Sequence, residues 1–228
     1  VFNAGRNPIT SIPSAFAKLE SLREVWLDDC QLEGPLPLAL QALPLLETLR
    51  VSHNQITEIR MSSEQQQHRP QRHLKLLCLD RNQLAELPDE LHEWVPNLEE
   101  LYVRHNRLTQ LPMEGLPRSL RILHVSSNTL TNLDGLPFAC PNLTHVYANS
   151  NQLTHLPTTG MITAHLKRLV ISHNPPLKEL PQELWEQINA DNDNTENKKE
   201  DCEIVWQPNP NITIVSKGET NDCEDMEE

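Results

Sequence analysis

Leu98–Pro112 reads LEELYVRHNRLTQLP, and its spacing decides how the rest of the chain is read. Leu98, Leu101, Val103, Asn106, Leu108 and Leu111 stand at the offsets L-x-x-L-x-L-x-x-N-x-L-x-x-L-P. The period-two alternation around Leu101 and Val103 predicts a short strand with both residues on one face. Asn106 falls where the chain must leave that strand, and its amide can bond backbone groups that the turn leaves unpaired. A single copy could not bury its apolar face, so the pattern has to repeat.

It does so over most of the chain. Outward from the quoted copy, Leu74, Leu77, Leu79, Asn82 and Leu84 precede it, and Leu120, Leu123, Val125, Asn128 and Leu130 follow. Earlier copies are Phe2, Ala4, Asn7 and Ile9; Leu22, Val25, Leu27, Cys30 and Leu32; and Leu46, Leu49, Val51, Asn54 and Ile56. Later ones are Leu143, Val146, Ala148, Asn151 and Leu153, then Leu166, Leu169, Ile171 and Asn174. The turn positions 7, 30, 54, 82, 106, 128, 151 and 174 lie 23, 24, 28, 24, 22, 23 and 23 residues apart.

These copies resemble the leucine-rich-repeat family, whose repeats run about 20–29 residues. The resemblance covers residues 1–188. It implies an α/β solenoid, a curved horseshoe with a parallel inner β-sheet and short helical or extended convex segments. About eight repeats are expected, the first one partial. Residues 189–215 are expected to be a linker plus a degenerate capping strand, and residues 216–228 an acidic disordered tail. The scaffold serves many unrelated recognition tasks, so function has to be argued from the exposed residues.

Several stretches depart from the pattern. Gln31–Pro37 (QLEGPLP) carries a Gly-Pro break and looks like the L-x-G-x-x-P repeat variant. Residues 60–73, RMSSEQQQHRPQRH, lengthen one repeat to 28 and read as an exposed loop able to meet a partner. Pro13–Leu19 and Asp89–Trp94 predict short helical turns, and Pro181–Ile188 a closing helix. Residues 190–201 are polar and charged, the composition of a disordered loop. Ile204 to Ile212 repeats the shape of Ile171–Leu177 and predicts a last strand on the sheet.

The 228 residues suffice for one solenoid with a continuous core. The chain opens mid-repeat, and no polar cap precedes Phe2, which leads us to expect a longer parent protein. No run of about 18 apolar residues predicts a membrane span. Five cysteines, at 30, 78, 140, 202 and 223, form no clustered cap, the usage of reduced thiols in a cytoplasmic protein. Asn142-Leu-Thr and Asn211-Ile-Thr match a glycosylation sequon, a pattern short enough to arise by chance. The net charge is −13; residues 189–228 hold 12 acidic and 3 basic residues, so they carry −9 of it. An acidic chain lacks the basic footprint of a nucleic-acid binder.

On a parallel inner sheet, side chains beside the core leucines point to the concave face. The position between the two strand core residues runs Trp26, Arg50, Cys78, Tyr102, His124, Tyr147, Val170. The position before each turn Asn runs Asp29, His53, Arg81, His105, Ser127, Ser150, His173. One further back runs Asp28, Ser52, Asp80, Arg104, Ser126, Asn149, Ser172. Trp, Tyr and Arg dominate binding hot spots, so Trp26, Arg50, Arg81, Tyr102, Arg104, His105, His124 and Tyr147 are the candidate partner-binding residues. The face is acidic at Glu24, Asp28 and Asp29 and basic at Lys167 and Arg168, a gradient that could orient a protein partner.

The five histidines near this face (53, 105, 124, 145 and 173) come with no Cys or carboxylate to complete a four-ligand set at usual spacing, so no metal is expected. No phosphate-binding Gly loop, G-x-S-x-G or H-E-x-x-H occurs, and Ser126–Ser127 beside His124 lack an orienting partner and an oxyanion hole. The reading is a protein-binding module or scaffold, not an enzyme, without cofactor and monomeric as a fragment. The alternative is the repeat array of a larger enzyme. Leu166–Leu177 with the helix and strand after it looks like the end of the repeats in PH-domain and leucine-rich-repeat protein phosphatases. Met113–Leu123 resembles the repeats of bacterial ubiquitin-ligase effectors. The phosphatase's metal-binding aspartates and the ligase's nucleophilic cysteine are absent from this sequence.

Overall fold

A computed structural model describes residues 1–61, 70–157, 165–182, 203–205 and 213–215. Nine short strands form one parallel sheet in the order β1 (Phe2–Asn3), β2 (Glu24–Trp26), β4 (Thr48–Arg50), β6 (Leu76–Cys78), β7 (Glu100–Tyr102), β8 (Ile122–His124), β9 (His145–Tyr147), β10 (Arg168–Val170) and β12 (Glu203–Val205). The register advances one repeat per strand, so that Leu77 pairs with Leu101, Leu101 with Leu123 and Leu123 with Val146. This is the parallel-sheet solenoid that the leucine spacing predicts.

The spacing works because β2, β4 and β6 to β10 each hide their central residue and, Cys78 excepted, leave their flanks toward solvent. Leu49, Leu77, Leu101 and Leu123 are fully buried, and so are Val51, Leu79, Val103 and Val125 two residues on. One continuous core runs from Val25 to Leu180, and removing this apolar surface from water is its main driving force. The return segments are short: a 3-10 turn at Ser14–Lys18 and the helices α1 (Leu38–Gln41), α2 (Leu91–Trp94) and α3 (Leu136–Ala139). The predicted turn at Asp89–Trp94 is therefore helical only from Leu91. Its Trp94 is fully buried.

The turn asparagines join the repeats. From Asn54 to Asn174 they share one pattern: each Nδ2 donates to the carbonyl three residues back and to the equivalent carbonyl one repeat earlier. Asn128 reaches Val125 and Val103, both at 3.0 Å. Val103 O also accepts from Asn106 Nδ2 at 3.0 Å, so consecutive asparagines share carbonyls. Each Oδ1 accepts a backbone N–H of the preceding repeat, as Asn128 does from Leu108 at 3.0 Å. Cys30, in the Asn position of its repeat, is buried with its Sγ 3.5 Å from Ala4 O.

A second regularity escapes the leucine pattern. The residue before each turn Asn or Cys lies in the left-handed region: Arg6, Asp29, His53, Arg81, His105, Ser127, Ser150 and His173 have φ between 52° and 60°. None is glycine, so each holds a conformation that L-residues enter at a cost. Gly115 meets a different demand. A Cβ there would stand 2.0 Å from Asp89 O, and Gly115 O accepts the His92 N–H at 2.8 Å.

Two further small sheets were not foreseen. The Gly-Pro break forms β3 (Glu33–Pro35), which pairs in parallel with β5 (Gln55–Glu58); β11 (Glu179–Pro181) pairs with β13 (Thr213–Val215). Pro181 therefore ends a strand, where a helix start was expected, and the helix is entered one residue later, at Gln182; residues 183–188 lie outside the described residues. The insertion also needs correction. Gln71 is not loop surface but buried, and its Nε2 donates to the carbonyls of Leu40 (2.9 Å) and Gln41 (2.7 Å), closing the end of α1. Residues 62–69, the loop at 190–201, the tail at 216–228 and the sequon at Asn211 lie outside the described residues.

Candidate functional site

The open face of the nine-stranded sheet carries the site residues. Its register aligns Trp26, Arg50, Cys78, Tyr102, His124, Tyr147 and Val170 in one column, as the repeat spacing requires. Three of them make a row of rings. Tyr102 and His124 have centroids 6.0 Å apart at 63°, and His124 and Tyr147 4.8 Å apart at 40°. His145 stacks beside Tyr147 at 6.4 Å, and the Arg168 guanidinium carbon sits 5.9 Å from the Tyr147 centroid. Such contacts hold the rings edge to face, tilted or stacked, with a cation over Tyr147, while leaving them half-buried. Cys78 interrupts the column: it is buried, its Sγ is 3.0 Å from Ser52 Oγ, and burial pushes its thiol pKa up.

The neighbouring column departs from expectation. Asp28, Ser52, Asp80, Arg104, Ser126, Asn149 and Ser172 were all read as pointing outward, yet Ser52, Asp80 and Ser126 are buried. Short polar side chains here fold back onto the next repeat. Asp80 accepts the Arg104 backbone N–H at 2.9 Å and pairs with its Nε at 2.7 Å. Asp28 does the same in its own way, accepting the Ser52 N–H at 2.9 Å and the Arg50 Nε at 2.9 Å. Ser126 Oγ donates to Asn149 Oδ1 at 2.6 Å. An Asp two before the turn residue with an Arg one repeat later was legible in the sequence as a paired signal. Arg50 and Arg104 are thus tethered cations, and Arg50 is held more firmly protonated by Asp28.

Of the other candidates, Arg81 and His105 are exposed on successive left-handed positions, while His53 meets Asp29 at 3.3 Å. Trp26, 36% exposed, stands two strands away from Cys78 toward the acidic Asp28–Asp29 end. Tyr102 donates its hydroxyl to Glu100 at 2.7 Å; burial first, and this carboxylate second, raise its pKa. Among the described residues no group of three or more His, Cys, Asp and Glu is placed to hold a metal ion.

Burial pulls the pKa of His124 below its ordinary 6.5. The unfolded chain then binds a proton that the folded ring refuses, so His124 contributes stability above about pH 6.5 that is lost as pH falls toward the folded value. Thermal melts between about pH 7.5 and about pH 5 are expected to fall in Tm on acidification, with a shallower fall in His124→Gln.

An Asn-laddered sheet of short parallel strands, with an open face of rings and tethered arginines, defines a repeat protein of the recognition type. The Leucine Rich Repeat family profile matches residues 21–43 and 97–118. Fibromodulin of Sus scrofa is 36% identical over 128 residues, 55% of this chain and 80% of that protein. The adenylate cyclase of Schizosaccharomyces pombe is 35% identical over 128 residues, 56% of this chain but 7% of the cyclase. Among solved structures, a leucine-rich-repeat protein of Leptospira interrogans superposes with a TM-score of 0.65 at 26% identity, over 88% of this chain and 53% of that one. The chain thus spans about half of the Leptospira protein and a small part of the cyclase. It belongs to the leucine-rich-repeat family. No helix among the described residues is long and apolar enough to cross a membrane.

Proposed function

We propose that this chain is a protein-binding module that takes its partner on the open face of the sheet and performs no chemistry of its own. The row Tyr102–His124–Tyr147 carries the reading: three half-exposed rings in contact, on a rigid sheet, offer area that needs little ordering on binding. Three buried free thiols, Cys30, Cys78 and Cys140, suit a reducing, cytoplasmic setting.

The test is affinity capture from cell lysate with the chain and with its Tyr102→Ala/Tyr147→Ala variant. A protein retained by the first should bind the second at least about 100-fold more weakly, since hot-spot rings contribute about 2 kcal/mol or more each. Circular dichroism and Tm should be unchanged. Equal capture by both would move the site off this face.

A second reading has its own support. The match to a short stretch of an adenylate cyclase fits a repeat array that serves a larger enzyme. A full-length transcript encoding a cyclase, phosphatase or ligase domain in the same reading frame would favour it.

A further inference from the structure

The charges beside the ring row are not evenly matched. His53, Arg81 and His105 occupy successive rungs: His53 N donates to Asp80 O, Arg81 N to Arg104 O and His105 N to Ser126 O, at 2.8, 2.8 and 3.0 Å. Adjacent strands stand about 4.8 Å apart, so these side chains emerge within reach of one ligand group. Arg104 adds a guanidinium on the same repeat as His105. The nearby carboxylates are already engaged. Asp80 gives both oxygens to Arg104, Glu100 accepts the Tyr102 hydroxyl, and Asp29 faces His53. Among the described residues Arg81 has no ion-pair partner, and it is exposed.

One uncompensated cation, Arg81, therefore borders the aromatic row on one side, beside His105 and the Asp80-paired Arg104. Toward β2 the same face turns acidic, with Glu24, the Arg50-paired Asp28 and the His53-facing Asp29. The net charge of −13 opposes a long polyanion such as nucleic acid, whereas a short acidic stretch feels mainly the local cluster. We propose that the open face receives an extended, acidic segment of a protein partner, with a carboxylate at Arg81, Arg104 and His105 and an apolar or aromatic side chain on the Tyr102–His124–Tyr147 row. This rests on the binding role proposed above and specifies its partner. Arginine's planar fork suits such a carboxylate, and the rings supply the apolar contact.

The probe is a library of random peptides displayed on phage, selected against the intact chain, with enriched clones remade as fluorescein-labelled peptides. Enriched sequences should carry Asp or Glu within a few residues of Tyr, Phe, Trp or Leu. Arg81→Glu should weaken them at least about tenfold. Arg6→Glu, at the equivalent left-handed position of the first repeat, should leave them unchanged. Burial, with Arg81 and Arg104 next, holds the pKa of His105 down, while Asp80 and His53 also face it. A carboxylate docked beside His105 favours its charged form, so binding should take up a proton and tighten as pH falls below about 6.5, an increment absent in His105→Gln.

Clones without acidic residues, or clones that bind Arg81→Glu as well as the unaltered chain, would overturn the proposal. If such clones are still lost in Tyr102→Ala/Tyr147→Ala, the acid preference falls and the ring site stands. Failure to enrich any clone counts against both. Clones displaced by a synthetic peptide of residues 216–228 would reassign the cluster to this chain's own acidic segment and overturn an external partner.

Discussion

Asn128→Leu is expected to cost about 3 kcal/mol of stability, from one orphaned N–H and several lost bonds. The side chain is nearly isosteric, so volume is not the cause. Leu108 N donates to Asn128 Oδ1 at 3.0 Å and has no other backbone acceptor, so the substitution strands a buried N–H. The carbonyls of Val103 and Val125 each lose one of two donors, keeping Asn106 and Asn151 respectively. Sharing between successive asparagines limits the damage, since without it both carbonyls would be bare. Urea titration of the two proteins, read as a shift in midpoint at constant slope, measures the loss. A neutral result would mean that the turn amides are bystanders. Asn106, more exposed than Asn128, should respond in the same direction.

Trp94→Ala is expected to cost more, about 4 kcal/mol, and Trp94→Phe no more than about 1 kcal/mol. Trp94 closes α2 and is fully buried, one of the largest fully buried side chains in the molecule. Truncation to Ala leaves a cavity between repeats whose walls cannot collapse far, because Gln71 N is held to Trp94 O at 2.7 Å. Phenylalanine keeps most of the volume. It also removes the indole Nε1–H, which is buried without a hydrogen-bond partner among the described residues. Guanidinium denaturation of the three proteins separates the two contributions. If Phe were as harmful as Ala, the indole N–H and not its volume would be what the site requires.

The core was legible because its rule is short. Leu101, Val103, Asn106 and Leu108 each occupy the place their offsets imply, and the register then follows for every repeat. The ring column was legible for the same reason, since Tyr102, His124 and Tyr147 differ only by whole repeats. Two features were not. The outward reading of Asp80 and Ser126 failed because a short polar side chain at that place folds back to bond the next repeat, whereas the longer Arg104 of the same column stays exposed. The left-handed turn begins only at the residue after them, Arg81 and Ser127. Gln71 was read as loop surface because composition alone cannot distinguish a polar residue in water from one that satisfies the carbonyls at the end of a short helix.

Among the described residues, the hydrogen bonds between repeats join each one to its neighbour in the chain, with no tie across several turns. Such a molecule behaves as a one-dimensional stack, in which each unit's persistence depends on the unit beside it. Tension applied at the two ends should therefore peel it from its weaker end in discrete steps. Each step releases one repeat of about 23 residues, or roughly 80 Å of extended chain. The repeats bearing the rings lie inside the stack, so they hold their shape while terminal ones open and close. A tether built this way would yield length under tension without first losing its grip.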